Sequence, residues 1–151
     1  MTTNGLDRLE TWVKARKFAV EVYRNILPLL PLEEKFNLKS QIRRAATSIP
    51  ANIAEGYGRF YYQANIQFCY NARGSLDELL SHLMLSQNLG FMDDEVFSQI
   101  KSKGNGLVLL INGYISYLKR VKHGEDEPGS PGRIQEEKGI YEVGGQLSTG
   151  Y

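Results

Sequence analysis

The chain of 151 residues is long enough to bury one hydrophobic core without disulfides or metals, so a single domain is expected. Its one cysteine excludes an intramolecular disulfide, no apolar run reaches the roughly 20 residues that span a bilayer, and without an export leader we expect a cytoplasmic protein. The charge is split, because residues 1–122 carry 16 basic and 11 acidic side chains whereas residues 123–151 carry 2 and 6.

Two helices are predicted in the first half of the chain. Apolar residues recur at helical spacing over residues 6–30, and Pro28 and Pro31 end this first helix. A second apolar stripe covers residues 38–53, and Asn37 is placed to cap its start. Both patterns have the period of an α-helix that buries one face.

The second helix contains the stretch SIPANIAEGYGR, residues 48–59, which is unusual for a helix interior. Pro50 lacks an amide donor and crowds the carbonyl of Ala46, so we expect the helix to bend or to start afresh there. The hydroxyl of Ser48 and the amide of Asn52 are near enough to satisfy freed backbone groups. We therefore interpret the stretch as a structural kink.

The end of this stretch also resembles a phosphate-binding loop, but only weakly. Gly56 and Gly58 form a GYGR string that lacks the third glycine of a dinucleotide fingerprint and the lysine of a P-loop, and no strand precedes it. Glu55 and Arg59 stand four residues apart and can pair if the helix extends that far. The glycines instead suggest that the helix ends before Arg59.

The second half of the chain predicts two longer helices. The third covers residues 61–89 and ends at Gly90, a residue typical of helix C-termini. The fourth begins at MDDEVF and ends in the basic LKRVK, which suits the helix dipole at both ends. Gly104, Gly106 and Gly113 each cost this helix about 0.5–1 kcal/mol relative to alanine, so it either kinks or packs closely against another helix.

These elements predict an all-α protein. No segment alternates apolar and polar residues between turn signals, so no sheet is expected. Four helices with short connections indicate an antiparallel, up-down-up-down four-helix bundle over residues 1–122, with a kinked second helix. Residues 123–151 are rich in glycine, proline and acidic residues, and we expect them to form a disordered tail.

The sequence offers no catalytic or metal-binding constellation. His82 has no second histidine or cysteine at ligand spacing, which favours a packed or interface histidine. Cys69 lies on the apolar stripe of the third helix without a basic neighbour in its turn, which favours a core position. We therefore predict a protein that is not an enzyme and that holds no metal and no cofactor.

Basic residues suggest a nucleic-acid surface instead. Arginines interleaved with aromatic rings can hold phosphates while bases stack on the rings. A solvated helix face explains the same pattern equally well, although assembly of several copies would join the basic residues into a continuous surface. The candidate nucleic-acid-binding residues are Lys35, Lys39, Arg43, Arg44, Arg59 and Arg73, and the aromatic residues near them are Tyr57, Phe60, Tyr61 and Tyr62.

The stretch RGSLDE in the third helix has a structural interpretation as well. Its small residues allow another helix to approach closely at Gly74. Arg73 can pair with Asp77, one turn further along the same helix.

Two strings, SQIRRAATSIPANIAEGYGR and ARGSLDEL, resemble the small four-helix-bundle proteins encoded in intervening sequences of bacterial 23S ribosomal RNA genes. The likeness covers roughly residues 10–121 and leaves out the tail. A relative of that family is the accessory variability determinant of diversity-generating retroelements, a basic homopentamer that binds nucleic acid and a reverse transcriptase. The matching positions, carried over as determinants of fold and assembly, are Ser48, Ile49, Pro50, Asn52, Glu55, Gly56, Gly58, Arg59, Ala72, Arg73, Gly74, Ser75, Leu76 and Glu78.

The resemblance implies an oligomeric, non-enzymatic accessory protein, expected as a homopentamer, that binds RNA or DNA and has no membrane partner. Its alternative is a scaffold that docks a partner such as a reverse transcriptase without contacting nucleic acid. A ribosomal RNA role and a retroelement role both stay open. The acidic tail departs from the family pattern, and its deletion is predicted to strengthen nucleic-acid binding.

Overall fold

The computed structural model describes residues 5–59 and 61–121, and helices dominate this part of the chain. Its four α-helices are α1 at Glu10–Glu21, α2 at Leu38–Tyr57, α3 at Tyr62–Asn88 and α4 at Asp94–Val121. The predicted all-α class and four helices are therefore confirmed. The prediction of a disordered tail over residues 123–151 lies outside the described residues.

The helices pack in chain order around one core. Each helix contacts the next, and α1 also contacts α4, so the four close a ring of neighbours. Successive helices are antiparallel, since Arg73 of α3 bonds Asn112 of α4 while the later Leu80 lies at the earlier Gly104. The α1–α2 side and the α3–α4 side are consequently opposite sides of the bundle.

One apolar stripe of each helix forms the core, as the helical periodicity predicts. Full burial of a large aliphatic or aromatic side chain contributes about 1.5–3 kcal/mol, so these stripes are the main favourable term in folding. Central core residues include Ala15, Phe18 and Val22, then Ile42, Ile49 and Ile53, then Ile66, Leu76 and Leu79, and finally Ile100, Ile111 and Leu118.

The first predicted helix is shorter than the apolar pattern that suggested it. A 3₁₀ turn at Leu6–Arg8 precedes α1, which ends at Glu21 and continues as a π turn at Val22–Ile26 and a 3₁₀ turn at Leu27–Leu29. Pro28 has no amide to donate, so regular α-helical bonding cannot continue through this region. A further 3₁₀ turn at Leu32–Glu34 leads into α2.

α2 continues through Pro50 as one helix and does not start afresh there. The side-chain amide of Asn52 donates to the Ser48 carbonyl at 2.8 Å, whereas the carbonyl that Pro50 leaves without its helical amide is that of Ala46, so this bond is not the predicted replacement. α2 includes Gly56 and ends at Gly58. A Cβ on Gly56 would lie 2.7 Å from Asn65 Oδ1 and 2.9 Å from Phe68 Cβ, so this glycine lets α2 and α3 approach closely.

The helix ends confirm two of three sequence predictions. α3 ends with Gly90 at φ 81°, and the Phe91 amide donates back to the Ser86 carbonyl at 2.9 Å, which completes a Schellman motif. The acidic start of α4 places Asp93 Oδ1 2.8 Å from the Val96 amide. The predicted capping role of Asn37 is wrong, since no side-chain bond from this residue caps α2.

Glu34 caps the start of α2 instead. Its Oε1 accepts a hydrogen bond from the Leu38 amide at 3.2 Å. The 3₁₀ turn that ends at Glu34 brings this carboxylate against the first amide of α2, where the positive end of the helix dipole favours it.

Gly104 and Gly74 differ in what surrounds them. A Cβ on Gly104 would lie 2.8 Å from Leu80 Cδ2, so close helix packing, and not a break in α4, explains this residue. Gly74 is exposed, and a Cβ there would meet no atom within 4 Å. The expected close helix packing at Gly74 is therefore absent among the described residues, because Gly74 lies on the outer face of α3.

Candidate nucleic-acid interface

Three of the predicted basic residues form a ridge on α2 and the turn before it. Arg43 Nη2 donates to the Lys35 carbonyl at 3.1 Å, and Lys39 lies one turn from each of them. Arg43 in turn lies one turn before Thr47, which lines a groove between α1 and α2. The ridge of Lys35, Lys39 and Arg43 therefore extends along the α1 side of α2.

Arg44 and Arg59 belong to other parts of the surface. Arg44 is exposed and lies about 100° around α2 from Arg43. Arg59 follows α2 and pairs with Glu55 at 3.2 Å, which confirms that this i, i+4 pair forms. Its guanidinium also lies 4.9 Å from the centroid of Phe68. The carboxylate of Glu55 offsets the charge that Arg59 brings to the surface.

Arg73 lies on the opposite side of the bundle, against α4. Its Nη1 donates to Asn112 Oδ1 at 2.6 Å, and its guanidinium lies 4.9 Å from the centroid of Tyr70. Lys119 of α4 places Nζ 5.2 Å from the same ring. Arg73 forms no ion pair with Asp77 among the described residues, so that predicted pair is wrong. Arg73 reaches across to α4 instead of along α3.

We call Tyr70, Arg73, Asn112 and Lys119 the α3–α4 cluster. Two cations share one aromatic ring in it, and neither has a carboxylate partner within ion-pair distance among the described residues. Asn112 is buried, and its Nδ2 finds no hydrogen-bond partner there. The cluster thus combines two uncompensated positive charges with a buried amide donor.

Lys119 and Asn112 are not among the residues predicted from the sequence. Lys119 belongs to a basic helix end, which has a sufficient explanation in the helix dipole. Asn112 was visible only as a polar residue in the apolar run LVLLINGY. Helical spacing shows which residues of one helix share a face, but the meeting of α3 and α4 depends on how the helices pack.

The predicted aromatic platform is largely occupied by packing. Tyr62 is buried, Tyr57 is half-buried, Tyr61 is exposed, and Phe60 lies outside the described residues. Rings elsewhere lie beside cations at centroid distances of 4.9–5.8 Å, a geometry that favours cation–π contact, and of these rings that of Phe36 alone belongs to an exposed residue. Among the predicted aromatic residues that the structure describes, Tyr61 alone is exposed enough to stack on a base.

A second basic region missed by the sequence analysis lies between α1 and α4. A groove of about 500 Å³ there has an apolar floor that includes Phe18 and Leu107. Lys14, Lys17 and Lys103 line it, and Lys103 Nζ pairs with both carboxylate oxygens of Glu21, at 2.7 and 2.9 Å. The pair with Glu21 leaves this groove less positive than its lysines alone suggest.

Charge is also distributed unevenly along the bundle axis. The connections α1–α2 and α3–α4 lie at one end, where acidic residues dominate, and α2 and α4 end at the other, where basic residues are more numerous. The acidic end carries Glu33, Glu34, Asp93, Asp94 and Glu95 against Arg24, Lys35 and Lys39. The basic end carries Arg8, Arg59, Lys119 and Arg120 against Asp7, Glu10 and Glu55.

The candidate reactive side chains are engaged structurally. Cys69 is fully buried, as expected for a core residue, and desolvation raises the pKa of its thiol to about 12. A thiol in this state stays protonated near neutral pH and is a poor nucleophile. His82 Nε2 lies 3.2 Å from Glu78 Oε2, one turn back on α3.

Residues 5–59 and 61–121 contain neither a metal-ligand cluster nor a membrane-spanning helix. This part of the chain contains no group of three or more histidine, cysteine or acidic residues arranged to hold a metal ion. None of its helices combines the length and the apolar character required to cross a bilayer.

A family model described as 23S rRNA-intervening sequence protein matches residues 7–113. The matched region begins before α1 and extends into α4, so it includes all of α1, α2 and α3. No curated protein matches the chain.

Proposed function

The chain belongs to the 23S rRNA-intervening sequence protein family, and from this premise we propose that it is a non-enzymatic, homo-oligomeric protein that binds nucleic acid. The observation that carries the proposal is the α3–α4 cluster. Phosphate groups are the natural ligands of an arginine and a lysine that lack carboxylate partners. The family is not a known enzyme family, which agrees with a binding role.

The cluster favours contact with the nucleic-acid backbone over contact with bases. Arg73 and Lys119 both lie against Tyr70, so the ring supports cations and is not free to stack on a base. Phosphate contacts fix position without reading sequence. The proposed binding is therefore sequence-tolerant and strongly dependent on salt.

The experiment measures binding of labelled structured RNA and single-stranded DNA by fluorescence anisotropy across a salt series beginning at about 50 mM. Lys119→Gln is expected to weaken binding to all sequences similarly and to lower the slope of log Kd against log salt by about one. Arg73→Gln should do the same, with its unfolding midpoint measured alongside, because Arg73 also bonds Asn112.

Lys101→Gln is the matched control. Lys101 is exposed on α4 and lies 5.8 Å from the ring centroid of Phe97, so the substitution removes the same charge from a similar cation–aromatic pair. It should change binding much less than Lys119→Gln. The proposal would be refuted if the unmodified protein had no affinity for nucleic acid at low salt. Equal effects of Lys119→Gln and Lys101→Gln would show that the α3–α4 cluster is not the binding surface.

The second candidate function is a protein scaffold, with a reverse transcriptase as the partner that the family resemblance suggests. An exposed apolar groove lies between α1 and α2, and such a surface is typical of contact with another protein. Co-purification of a reverse transcriptase together with an absence of nucleic-acid binding would favour this candidate. Self-association, as the homopentamer that the resemblance suggests, is common to both candidates and is measured by light scattering.

A further inference from the structure

The groove between α1 and α2 is exposed and mainly apolar, and its volume is about 600 Å³. Val20 of α1 and Tyr23 of the π turn that follows it are 39% and 42% exposed along the groove. The α2 wall consists of small residues, which leaves a depression between the two helices. The groove is lined by Trp12 and Val20 of α1, by Tyr23 of the π turn, and by Pro50, Ala51 and Ala54 of α2.

Part of the stretch SIPANIAEG faces this groove. Ile49 and Ile53 are buried in the core, whereas Pro50, Ala51 and Ala54 form the outward wall. Proline inside a helix removes a backbone hydrogen bond and costs about 3 kcal/mol. Packing in the core accounts for the two isoleucines. Within the described residues, nothing packs on the outward wall of Pro50, Ala51 and Ala54 that would account for these three residues.

The same chain carries a protruding apolar segment, residues 29–36, in the connection from α1 to α2. Leu32 is 78% exposed and Phe36 is 88% exposed, and Leu29 is exposed as well. Single exposed apolar residues are ordinary, but several in one short connection form a patch of the kind that marks an interface. Leu30 of this segment is buried in the core, but the core does not cover Leu32 or Phe36.

The segment lies near one end of the groove. The segment follows Tyr23 and Arg24 in the chain and ends before α2 begins, whereas the first groove residue of α2 is Thr47, so the segment lies beyond this end of the groove along the bundle axis. Two parallel bundles that lie side by side, displaced along their axes or tilted, would bring the segment of one copy to the groove of the next.

Charge complementarity favours a second copy as the occupant. The segment carries the exposed residues Glu33 and Lys35, and Glu33, which directly follows Leu32, can pair with Arg16 or Arg24 of the groove. A contact between two different surfaces of identical chains is heterologous, and such contacts generate rings when the rotation closes.

We propose that Leu32 and Phe36 of one copy insert into the α1–α2 groove of a neighbouring copy, in a repeated head-to-tail contact. The proposal rests on the self-association included in the proposed function and names the surfaces that carry it. Glu33 then approaches Arg16 and Arg24 of the neighbour. The α3–α4 cluster lies on the opposite side of each bundle and stays accessible.

The test uses two double variants of the full chain. The segment variant is Leu32→Asp with Phe36→Asp, and the groove variant is Val20→Asp with Tyr23→Asp. The control variant, Leu85→Asp with Leu109→Asp, changes two similarly exposed leucines outside both surfaces. Unfolding midpoints check that each variant folds, and light scattering coupled to size exclusion gives the mass.

The unmodified protein and the control variant should have the same oligomeric mass. The segment and groove variants should each fall to the 17.1 kDa of one chain. An equimolar mixture of these two variants should recover dimers, because one copy still has an intact segment and the other an intact groove. Homotypic contact through a single surface would give no such recovery.

Two results would overturn the proposal, and they are distinguishable. A monomeric unmodified protein would refute self-association itself, and with it that part of the proposed function. An oligomeric protein whose mass survives in folded segment and groove variants would refute only this assignment of surfaces. A mixture that stays monomeric would also contradict the head-to-tail contact. Nucleic-acid binding by the α3–α4 cluster is measured separately and is unaffected by these outcomes.

Discussion

Gly56 and Gly74 show how differently two glycines of similar helices contribute to the fold. Gly56 lies where α2 meets α3, and a Cβ there would come within 3.0 Å of the Asn65 carbonyl oxygen as well as of two side-chain atoms. Backbone cannot move aside as easily as the end of a flexible side chain. Gly74 has open space around it.

Gly56→Ala is therefore expected to lower the free energy of unfolding by about 1–3 kcal/mol, the range for an overpacked site. Gly74→Ala should raise it by about 0.5–1 kcal/mol, because alanine has the higher helix propensity and meets no clash. Chemical denaturation monitored by circular dichroism measures both. A stabilised Gly56→Ala protein would contradict the close approach of α2 and α3.

At the scale of elements, two residues that each precede a helix differ in whether they cap it. Asp93 and Asn37 each precede a helix, but only Asp93 accepts a bond from an amide of the helix that follows, that of Val96. The α2 amide of Leu38 is served by Glu34.

Asp93→Ala is expected to cost about 1 kcal/mol of unfolding free energy, the usual value of a lost N-cap. Asn37→Ala, its matched control, should cost no more than a few tenths, because the side chain bonds only Glu34, at 3.4 Å. Thermal or urea unfolding distinguishes them. Equal losses in the two variants would show that Asn37 caps α2 in solution.

The bounds of some helices could be predicted from the sequence, and one helix cap could not. Helical periodicity and Gly90 located α3 to within a residue at each end, because both signals are local. The cap of α2 could not be predicted, since it depends on a 3₁₀ turn that brings Glu34 to Leu38. The fold class was likewise accessible from local patterns, through the four apolar stripes.

Only part of the candidate site could be predicted from the sequence, and the reason is physical. Arg73 was identified, but its neighbours Asn112 and Lys119 lie on another helix, and their meeting depends on the rotation of α3 against α4. The ridge of Lys35, Lys39 and Arg43 follows from a spacing of four residues along the chain, which is a local signal. Its placement opposite Arg73 required the packing order of all four helices.

At the scale of the whole molecule, the basic end of the bundle is followed in the sequence by an acidic segment. The tail, with a net charge of −4 over residues 123–151, follows α4, and α4 ends at the basic end of the bundle. Lys119 of the α3–α4 cluster and Arg120 lie in the last turn of that helix. The acidic sequence is therefore attached beside the proposed phosphate contacts.

Deletion of residues 123–151 is expected to leave the unfolding midpoint unchanged and to strengthen nucleic-acid binding about three- to tenfold at low salt, because each chain loses four net negative charges. The gain should shrink as salt rises, since screening weakens the competition between tail and nucleic acid. A full-length control with every tail carboxylate changed to an amide should bind like the deletion if charge is the cause. Affinity equal to that of the unmodified chain in both variants would refute competition by the tail, and a gain confined to the deletion would assign it to the tail's bulk.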